Sequence, residues 1–113
     1  PMIELRDRLR QFVAERDWDQ FHSPKNLAMA LSVEAAELVE HFQWLTEAES
    51  QRLAPAKLAE VRDEMADVLV YLVRLADKLD VDLLAAAAAK IEKNTLKYPA
   101  DKVRGCMKKY SEY

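Results

Sequence analysis

The chain has 113 residues, of which 50% are hydrophobic and 33% charged, and its formal net charge is −3 at pH 7. This length suits a domain that buries a core without a disulfide, and the one cysteine, Cys106, excludes a disulfide within the chain. The acidic balance argues against a nucleic-acid surface, and the longest apolar run, residues 83–89, is too short to span a membrane. With one thiol and no signal peptide, we expect a cytoplasmic protein.

The composition favours helices over strands. Gly105 is the single glycine, whereas hairpins and tight turns usually need glycine. Alanine, leucine, glutamate, lysine and arginine are abundant, and these residues favour helix. We therefore expect one all-α domain over residues 1–113.

Periodicity and start signals predict two helices in the first half of the chain. The first spans about residues 2–16. A polar and aromatic segment, RDWDQFHSPKNL, follows over residues 16–27. Within it, Ser23 and Pro24 suit the N-cap and the first position of a second helix that runs to about Trp44.

A short helix and a third long helix come next. Thr46 and Glu49 have the spacing of a capping box, which predicts a short helix over residues 47–53. Pro55 suits the first turn of a long helix that reaches residue 79.

The last predicted helix covers residues 83–98. Asp80 or Asp82 would cap its start, and Pro99 stops it. Residues 100–113 show no clear periodicity. Short connections place neighbouring helices antiparallel, so we expect a bundle of four main antiparallel helices and one short helix.

Two acidic pairs stand three positions apart on different predicted helices: Glu34 with Glu37, and Glu64 with Asp67. Residues at this spacing share a helix face. Two such pairs on facing helices could give four oxygen ligands to Mg²⁺, which also keeps waters and binds substrate phosphates. Since the chain has 20 acidic residues, the spacing by itself favours a solvated surface with a few salt bridges.

The position of the carboxylates on their helices favours the metal site. At about 100° per residue, Glu34 lies at the margin of one apolar stripe, with Glu37 further out. Glu64 and Asp67 border a second stripe, and Glu60 shares that border. A carboxylate beside a core needs a cation, a partner or a proton, so we expect a common acidic cleft. The stripes are Leu27, Leu31, Leu38, Phe42 and Leu45, and Val61, Met65, Val68, Leu72, Leu75 and Leu79.

A carboxylate-bridged di-iron centre is the rival metal site. Such a centre uses Glu-x-x-His on two helices. Leu38 stands three residues before His41, and Asp19 three residues before His22. Neither histidine completes the pattern, which argues against this alternative.

Aromatic rings flank the second predicted helix. Trp18 and Phe21 precede it and Trp44 ends it, and flat rings can stack on a nucleobase. The same rings could instead cover one end of the bundle. His22 likewise suits a hydrogen-bonded structural role as well as a ligand contact, so both interpretations stay open.

A polar strip lies on the last predicted helix, where Lys90, Asn94 and Lys97 recur at helical spacing. Lysine and amide side chains can donate hydrogen bonds to phosphate oxygens. An ordinary solvated face would show the same pattern, so this strip also has two interpretations.

Together these residues resemble the MazG-like, all-α nucleoside triphosphate pyrophosphohydrolases. The family motif is Glu-x-x-Glu, a spacer, then Glu-x-x-Asp. Here it reads Glu34-Ala-Ala-Glu37, residues 38–63, and Glu64-Met-Ala-Asp67. Val33 stands where many members carry a further glutamate.

The resemblance extends over roughly residues 5–110. Within the family, the chain is similar to the dCTP pyrophosphatase branch. The matching segments are RDWDQFHSPKNL, Phe42-Gln43-Trp44, Asp67-Val-Leu-Val-Tyr71, Lys90-x-x-x-Asn94-x-x-x-Tyr98-Pro99 and Lys109-Tyr110. The ordered set is much more specific than the acidic motif by itself.

The resemblance implies Mg²⁺-dependent hydrolysis of a nucleoside triphosphate, with dCTP or a modified dCTP favoured, to the monophosphate and pyrophosphate. It makes the four motif carboxylates the metal ligands and catalytic residues, one glutamate also serving the attacking water. The implied substrate contacts are Trp18, His22, Trp44 and Tyr71 for base and sugar, and Lys90, Asn94 and Lys97 for phosphates. It also implies self-association as a dimer or tetramer. Neither a nucleic acid nor a membrane partner is expected.

Two other function classes fit the same residues. A nucleotide-binding or helical interaction module would bind nucleotides without cleaving them, even with Mg²⁺. A purely structural bundle would show no Mg²⁺-dependent rise in melting temperature.

Overall fold

The computed structural model describes residues 1–105, and all of its regular elements in that range are helical. The elements are α1 (Met2–Glu15), a 3-10 turn (Asp19–Phe21), α2 (Pro24–Glu40), α3 (Glu47–Ser50), α4 (Pro55–Lys78), α5 (Leu83–Lys97) and α6 (Ala100–Val103). The predicted all-α fold with four long helices is confirmed. None of the described helices is long and apolar enough to cross a membrane. The chain divides into two compact units, Pro1–Asp80 and Val81–Tyr113.

Side-chain caps begin three of the helices at the predicted positions. Ser23 Oγ accepts a hydrogen bond from the backbone N–H three residues on, at 3.1 Å, and starts α2. Thr46 and Glu49 form the full capping box of α3, with bonds of 2.9 and 3.1 Å. Asp82 caps α5 through a 3.0 Å bond. Asp80 instead takes a left-handed φ of 54° after α4, so Asp82 is the cap.

The second helix ends earlier than the sequence predicted. The prediction took it to Trp44, but α2 stops at Glu40. The N–H groups of His41 and Phe42 bond to carbonyls three residues back, at 3.2 and 2.9 Å, so the chain tightens out of the α-helical pattern. Trp44 is 87% exposed, so packing does not hold its ring in a further helical turn.

Two short elements also differ from the predictions. α3 ends at Ser50 rather than at residue 53. Pro55 disfavours the α conformation in the residue before it, and Ala54 has an extended ψ of 151°. α6 lies in the segment for which no periodicity was found, because one helical turn is too short to show any. The predicted similarity at Lys109-Tyr110 lies outside the described residues.

In the first unit, α2 packs antiparallel on α4. Three cross-helix contacts give the direction: His22 just before α2 meets Arg74 late in α4, Glu34 meets Glu64, and His41 meets Lys57 early in α4. α1 also packs on α4. The buried apolar residues of the unit are Val13, Leu27, Val61, Val73 and Ala76.

The buried face of α4 is rotated from the predicted stripe. Met65 and Leu79 were expected in the core, but they are 58% and 54% exposed. Val73 and Ala76, which the stripe left out, are buried. Both α1 and α2 pack on α4, so its covered surface is set by two neighbours and does not follow one stripe.

The second unit contains α5 and α6. Asp82 caps α5, and Tyr98 ends it just before Pro99. Along the described part of this unit the apolar residues Leu84, Ile91 and Leu96 are 57%, 63% and 82% exposed.

Candidate metal and nucleotide site

Antiparallel packing of α2 on α4 brings three acidic side chains together. Glu34, Glu37 and Glu64 each offer a carboxylate oxygen, and these oxygens lie within 4.8 Å of one another. Glu34 and Glu64 are half-buried, whereas Glu37 is exposed. Three of the four predicted metal ligands therefore form one cluster that opens to solvent on the Glu37 side.

Two oxygens of the cluster are buried without a hydrogen bond. Glu34 Oε2 and Glu64 Oε1 have no partner among the described residues. Leaving a buried carboxylate oxygen unpaired costs free energy, and a cation would remove that cost. The donor set is all oxygen, which is what Mg²⁺ prefers, so the residues fit such an ion.

Crowding of the carboxyls changes their protonation. The adjoining Glu64 carboxyl, together with burial and the nearby Glu37, raises the pKa of Glu34 to about 8. The Glu34 carboxyl lowers the pKa of Glu64, but Glu37, burial and Asp67 outweigh it and the pKa is raised. Without a cation, the cluster therefore keeps a proton that a bound metal would replace.

Asp67 and Glu60 lie on the same helix but outside this cluster. Asp67 is exposed one turn after Glu64, and its charge acts on the Glu64 pKa. Glu60 Oε2 is 3.4 Å from Lys57 Nζ and 3.9 Å from His41 Nδ1. Asp67 stays a predicted fourth ligand, whereas Glu60 belongs to a separate ion pair.

The aromatic candidates differ in their surroundings. Trp18 is 45% exposed and packs edge-on against Phe12, with ring centroids 5.8 Å apart. Trp44 is 87% exposed beyond the end of α2. Tyr71 is half-buried on α4, one turn after Asp67. Both tryptophans thus present ring surface that could stack on a base.

The basic strip lies in the second unit. Lys90, Asn94 and Lys97 are all exposed on α5. Because α5 is helical over all three positions, these side chains share one face of the helix. Their contacts with phosphate stay a prediction.

Comparison with known proteins identifies the family. A model of the MazG-like family matches residues 29–113, three quarters of the chain. The chain belongs to the MazG-like family. It is similar to dCTP pyrophosphatase 1 of Homo sapiens, with 45% identity over 99% of this chain and 68% of the relative. The Rattus norvegicus protein of that name is 44% identical over the same shares.

The MazG-like fold is also seen in a solved structure. The crystal structure of a pyrophosphatase from Archaeoglobus fulgidus matches with a TM-score of 0.82 and 44% identity. The match covers 87% of this chain and 92% of that one. The family predicted from the acidic motif and the flanking segments is confirmed.

The sequence interpretation missed one buried charged residue of this MazG-like chain. Arg74 is 4% exposed, and its guanidinium contacts His22, Asp19 and Asp77. It is the one charged residue in the apolar run from Val68 to Ala76, which was the available signal, because a charge there must be buried or paired.

Proposed function

We propose that this MazG-like protein hydrolyses a nucleoside triphosphate, with dCTP or a modified dCTP preferred, to the monophosphate and pyrophosphate, and that it requires Mg²⁺. One observation carries the proposal: facing helices bring Glu34, Glu37 and Glu64 within 4.8 Å. The chain that does so is 45% identical to a dCTP pyrophosphatase. Clearing unwanted deoxynucleotides is the role we assign to it.

The metal ligands we propose are the three clustered glutamates and Asp67. Glu34 Oε2 and Glu64 Oε1 are buried without a hydrogen-bond partner in the part of the chain that the structure describes, which supports a cation at this point. Bound there, Mg²⁺ would neutralise phosphate charge and favour ionisation of the attacking water. One glutamate of the cluster would accept the proton of that water, because a carboxylate at the edge of a metal site can act as a general base.

The substrate contacts we propose follow the family resemblance. Trp18 and Trp44 offer exposed rings to the base, with His22 and Tyr71 completing the base and sugar contacts. Lys90, Asn94 and Lys97 would bind phosphates. The family match from residue 29 to 113 spans both units, which supports the proposal that the whole chain is one MazG-like domain.

We also propose that the protein self-associates as a dimer or tetramer in the cytoplasm, where its substrates are found. Leu58, Met65 and Leu69 recur at i, i+7 and i+11 on α4, and they are 45%, 58% and 40% exposed. This spacing places them on one helix face. Such an apolar face supports a contact with a second copy.

The test is a product assay on the purified chain. Each dNTP and NTP is incubated with Mg²⁺, and nucleotides and pyrophosphate are resolved by chromatography. Monophosphate plus pyrophosphate is expected, dCTP or a modified dCTP being turned over fastest, and the Glu64→Gln variant should form neither product. The matched control is Glu60→Gln on the same helix, whose carboxylate pairs with Lys57 and which should keep full activity.

Other products would contradict the proposal. Diphosphate plus orthophosphate would mean a different phosphohydrolase. Tight nucleotide binding with no product in Mg²⁺ or Mn²⁺ would mean a binding module without catalysis. Turnover that needs no metal ion would contradict the role proposed for the acidic cluster.

A further inference from the structure

Arg74 is the one polar or charged residue found buried among the described residues. Its side chain is 4% exposed, and it lies on α4 between apolar neighbours. A buried guanidinium is costly unless its N–H groups are paired. The partners that pair it show what this residue does.

Three groups from two elements surround the guanidinium. Nη2 donates to Asp19 at 2.9 Å, Nη1 to Asp77 at 3.4 Å, and Nε to His22 Nδ1 at 3.3 Å. Lys78 Nζ also reaches Asp19 at 2.7 Å. These contacts tie the segment between α1 and α2, which carries Asp19 and His22, to the C-terminal half of α4.

The contact with His22 has only one possible direction. A guanidinium donates and cannot accept, so Nδ1 of His22 must be the acceptor and carry no proton. The neutral ring then carries its proton on Nε2. Burial, and then the positive charge of Arg74, lower the pKa of His22, which keeps the ring neutral near pH 7.

The packing direction separates His22 from the acidic cluster. Arg74 follows Glu64 by ten residues on α4, which is about 15 Å along a helix axis. A phosphate bound at the clustered glutamates is therefore out of reach of His22. An extended nucleoside triphosphate has a length comparable to that separation, so its base is the part that comes nearest.

We propose that Arg74 is a positioning residue that holds His22 in the Nε2–H tautomer, so that Nε2–H is a preset hydrogen-bond donor to an acceptor atom of the nucleotide base. The proposal rests on the proposed function for the identity of the ligand. A donor whose tautomer is already chosen loses less free energy on binding than one that must exchange. Cytosine offers acceptors on its ring nitrogen and carbonyl oxygen, which suit such a donor.

The tautomer can be measured directly in the full chain. The protein has two histidines, so long-range ¹H–¹⁵N correlation spectra at a pH near 8.5 contain two ring systems, and the set lost in His22→Gln is that of His22. We expect a single Nε2–H tautomer for His22. An Nδ1–H tautomer in the wild-type protein would overturn the proposal without any Arg74 variant.

Substitution of Arg74 separates positioning from folding. In Arg74→Met, the His22 signals should move to a mixture of tautomers. Lys57→Met is the matched control, since it removes the cation 3.2 Å from Nδ1 of the other histidine, His41. It should move the His41 signals only and leave turnover unchanged. If Arg74→Met does not fold, the tautomer of His22 in the wild-type protein decides by itself, since an Nδ1–H tautomer there contradicts the positioning role.

Kinetics give the functional readout. Loss of one preset hydrogen bond should raise KM for dCTP about tenfold, with kcat nearly unchanged because the chemistry occurs at the acidic cluster. His22→Gln should have the same effect, and the double variant should be no worse than His22→Gln. Additive effects, or a loss confined to kcat, would overturn the positioning role. Absence of turnover in the wild type would instead contradict the proposed function. The tautomer spectra would still show whether Arg74 sets the tautomer of His22.

Discussion

Glu34 is the member of the acidic cluster whose pKa is raised to about 8, by Glu64, burial and Glu37. It is half-buried, and its Oε2 has no hydrogen-bond partner among the described residues. A carboxyl in this position lowers the stability of the metal-free fold, because its unpaired oxygen is poorly solvated and so is its charge when it ionises. A cation bound here would give that oxygen a partner and would displace the proton that the carboxyl otherwise holds.

Replacing this carboxyl should therefore separate stability from metal binding. Above about pH 8, where the Glu34 carboxyl ionises, we expect Glu34→Gln to melt a few degrees higher than the wild type without metal, because the amide removes that charge from the crowded cluster. Saturating Mg²⁺ should raise the melting temperature of the wild type, because a ligand that binds the folded state stabilises it, and should leave that of Glu34→Gln nearly unchanged. Thermal unfolding with and without Mg²⁺ measures both effects.

The control for this experiment is Glu60→Gln. Glu60 is exposed and lies outside the cluster, so its variant should respond to Mg²⁺ as the wild type does. A variant of Glu34 that still gains stability from Mg²⁺ would show that the ion binds elsewhere.

At this scale the sequence predicted which carboxylates come together better than it predicted their surroundings. The three-residue spacing placed Glu34, Glu37 and Glu64 on matching faces, and the structure brings them together. The separation of Asp67 from that cluster depends on how far α4 is rotated against α2. Periodicity cannot determine such a rotation, because it also depends on the third helix in contact, α1.

Among the elements, helix starts were predictable because their signals are local. Ser23, Thr46 and Asp82 each cap the helix they precede. The end of α2 was not predictable, because the chain leaves the helix through backbone bonds that any residues can make. The start of α2 also determines where His22 lies, since His22 directly precedes the N-cap Ser23.

Removing the N-cap of α2 should destabilise the first unit. Ser23→Ala leaves the N–H of Asn26 without its 3.1 Å acceptor, and the loss of such a cap costs about 1 kcal/mol of unfolding free energy. Ser32→Ala is the control and should change stability little, because the Ser32 hydroxyl donates to a carbonyl within its own helix. Urea unfolding of the three proteins measures the difference, and equal costs would contradict a role of the cap.

Asp77 connects α1 to α4 and should make stability depend on pH. Arg10 donates two hydrogen bonds to its carboxylate, at 2.8 and 2.5 Å, and the Asp77 side chain is 10% exposed. The hydrogen bonds from Arg10 lower the pKa of Asp77, against the opposing effect of burial. A lowered pKa means that the unfolded chain takes up the proton first as the pH falls.

Protonation of Asp77 in acid should therefore lower the free energy of unfolding. The contribution of Asp77 should be complete above the unfolded value of 3.8 and should be lost as the pH falls through the lower, folded value. Asp77→Asn should cost about 2 kcal/mol at neutral pH, because it leaves Arg10 and the buried Arg74 near each other without the carboxylate. Its stability should also fall less steeply in acid than that of the wild type.

Urea unfolding between neutral pH and pH 3 tests this expectation. Asp7→Asn is the control, since Asp7 pairs with arginines at a side chain that is 56% exposed and such pairs contribute little. An Asp77→Asn variant as stable as Asp7→Asn would mean that the ion pair does not hold α1 on α4.

At the scale of the whole molecule, the apolar face of α4 formed by Leu58, Met65 and Leu69 is the surface on which we propose that a second copy binds. Sequence periodicity assigned Met65 to the core, yet it is 58% exposed. Leu58 and Leu69 were not part of the predicted stripe, and a pattern of one chain cannot distinguish an apolar residue covered by its own helices from one covered by a second copy.

A charge on this face should therefore prevent self-association. Met65→Arg places a guanidinium where a second copy would bury apolar surface, and burying an unpaired charge is costly. Asp63→Arg introduces the same side chain two residues away, at an exposed position well away from the apolar face, and should leave the oligomer intact. Sedimentation velocity or light scattering of the three proteins gives their masses. If Met65→Arg keeps the oligomeric mass of the wild type and Asp63→Arg becomes monomeric, the contact between copies lies on the opposite side of α4.

A loss of turnover would link this contact to activity. If Met65→Arg becomes monomeric and also loses turnover, while its helical content is unchanged, then the active form requires contacts between copies.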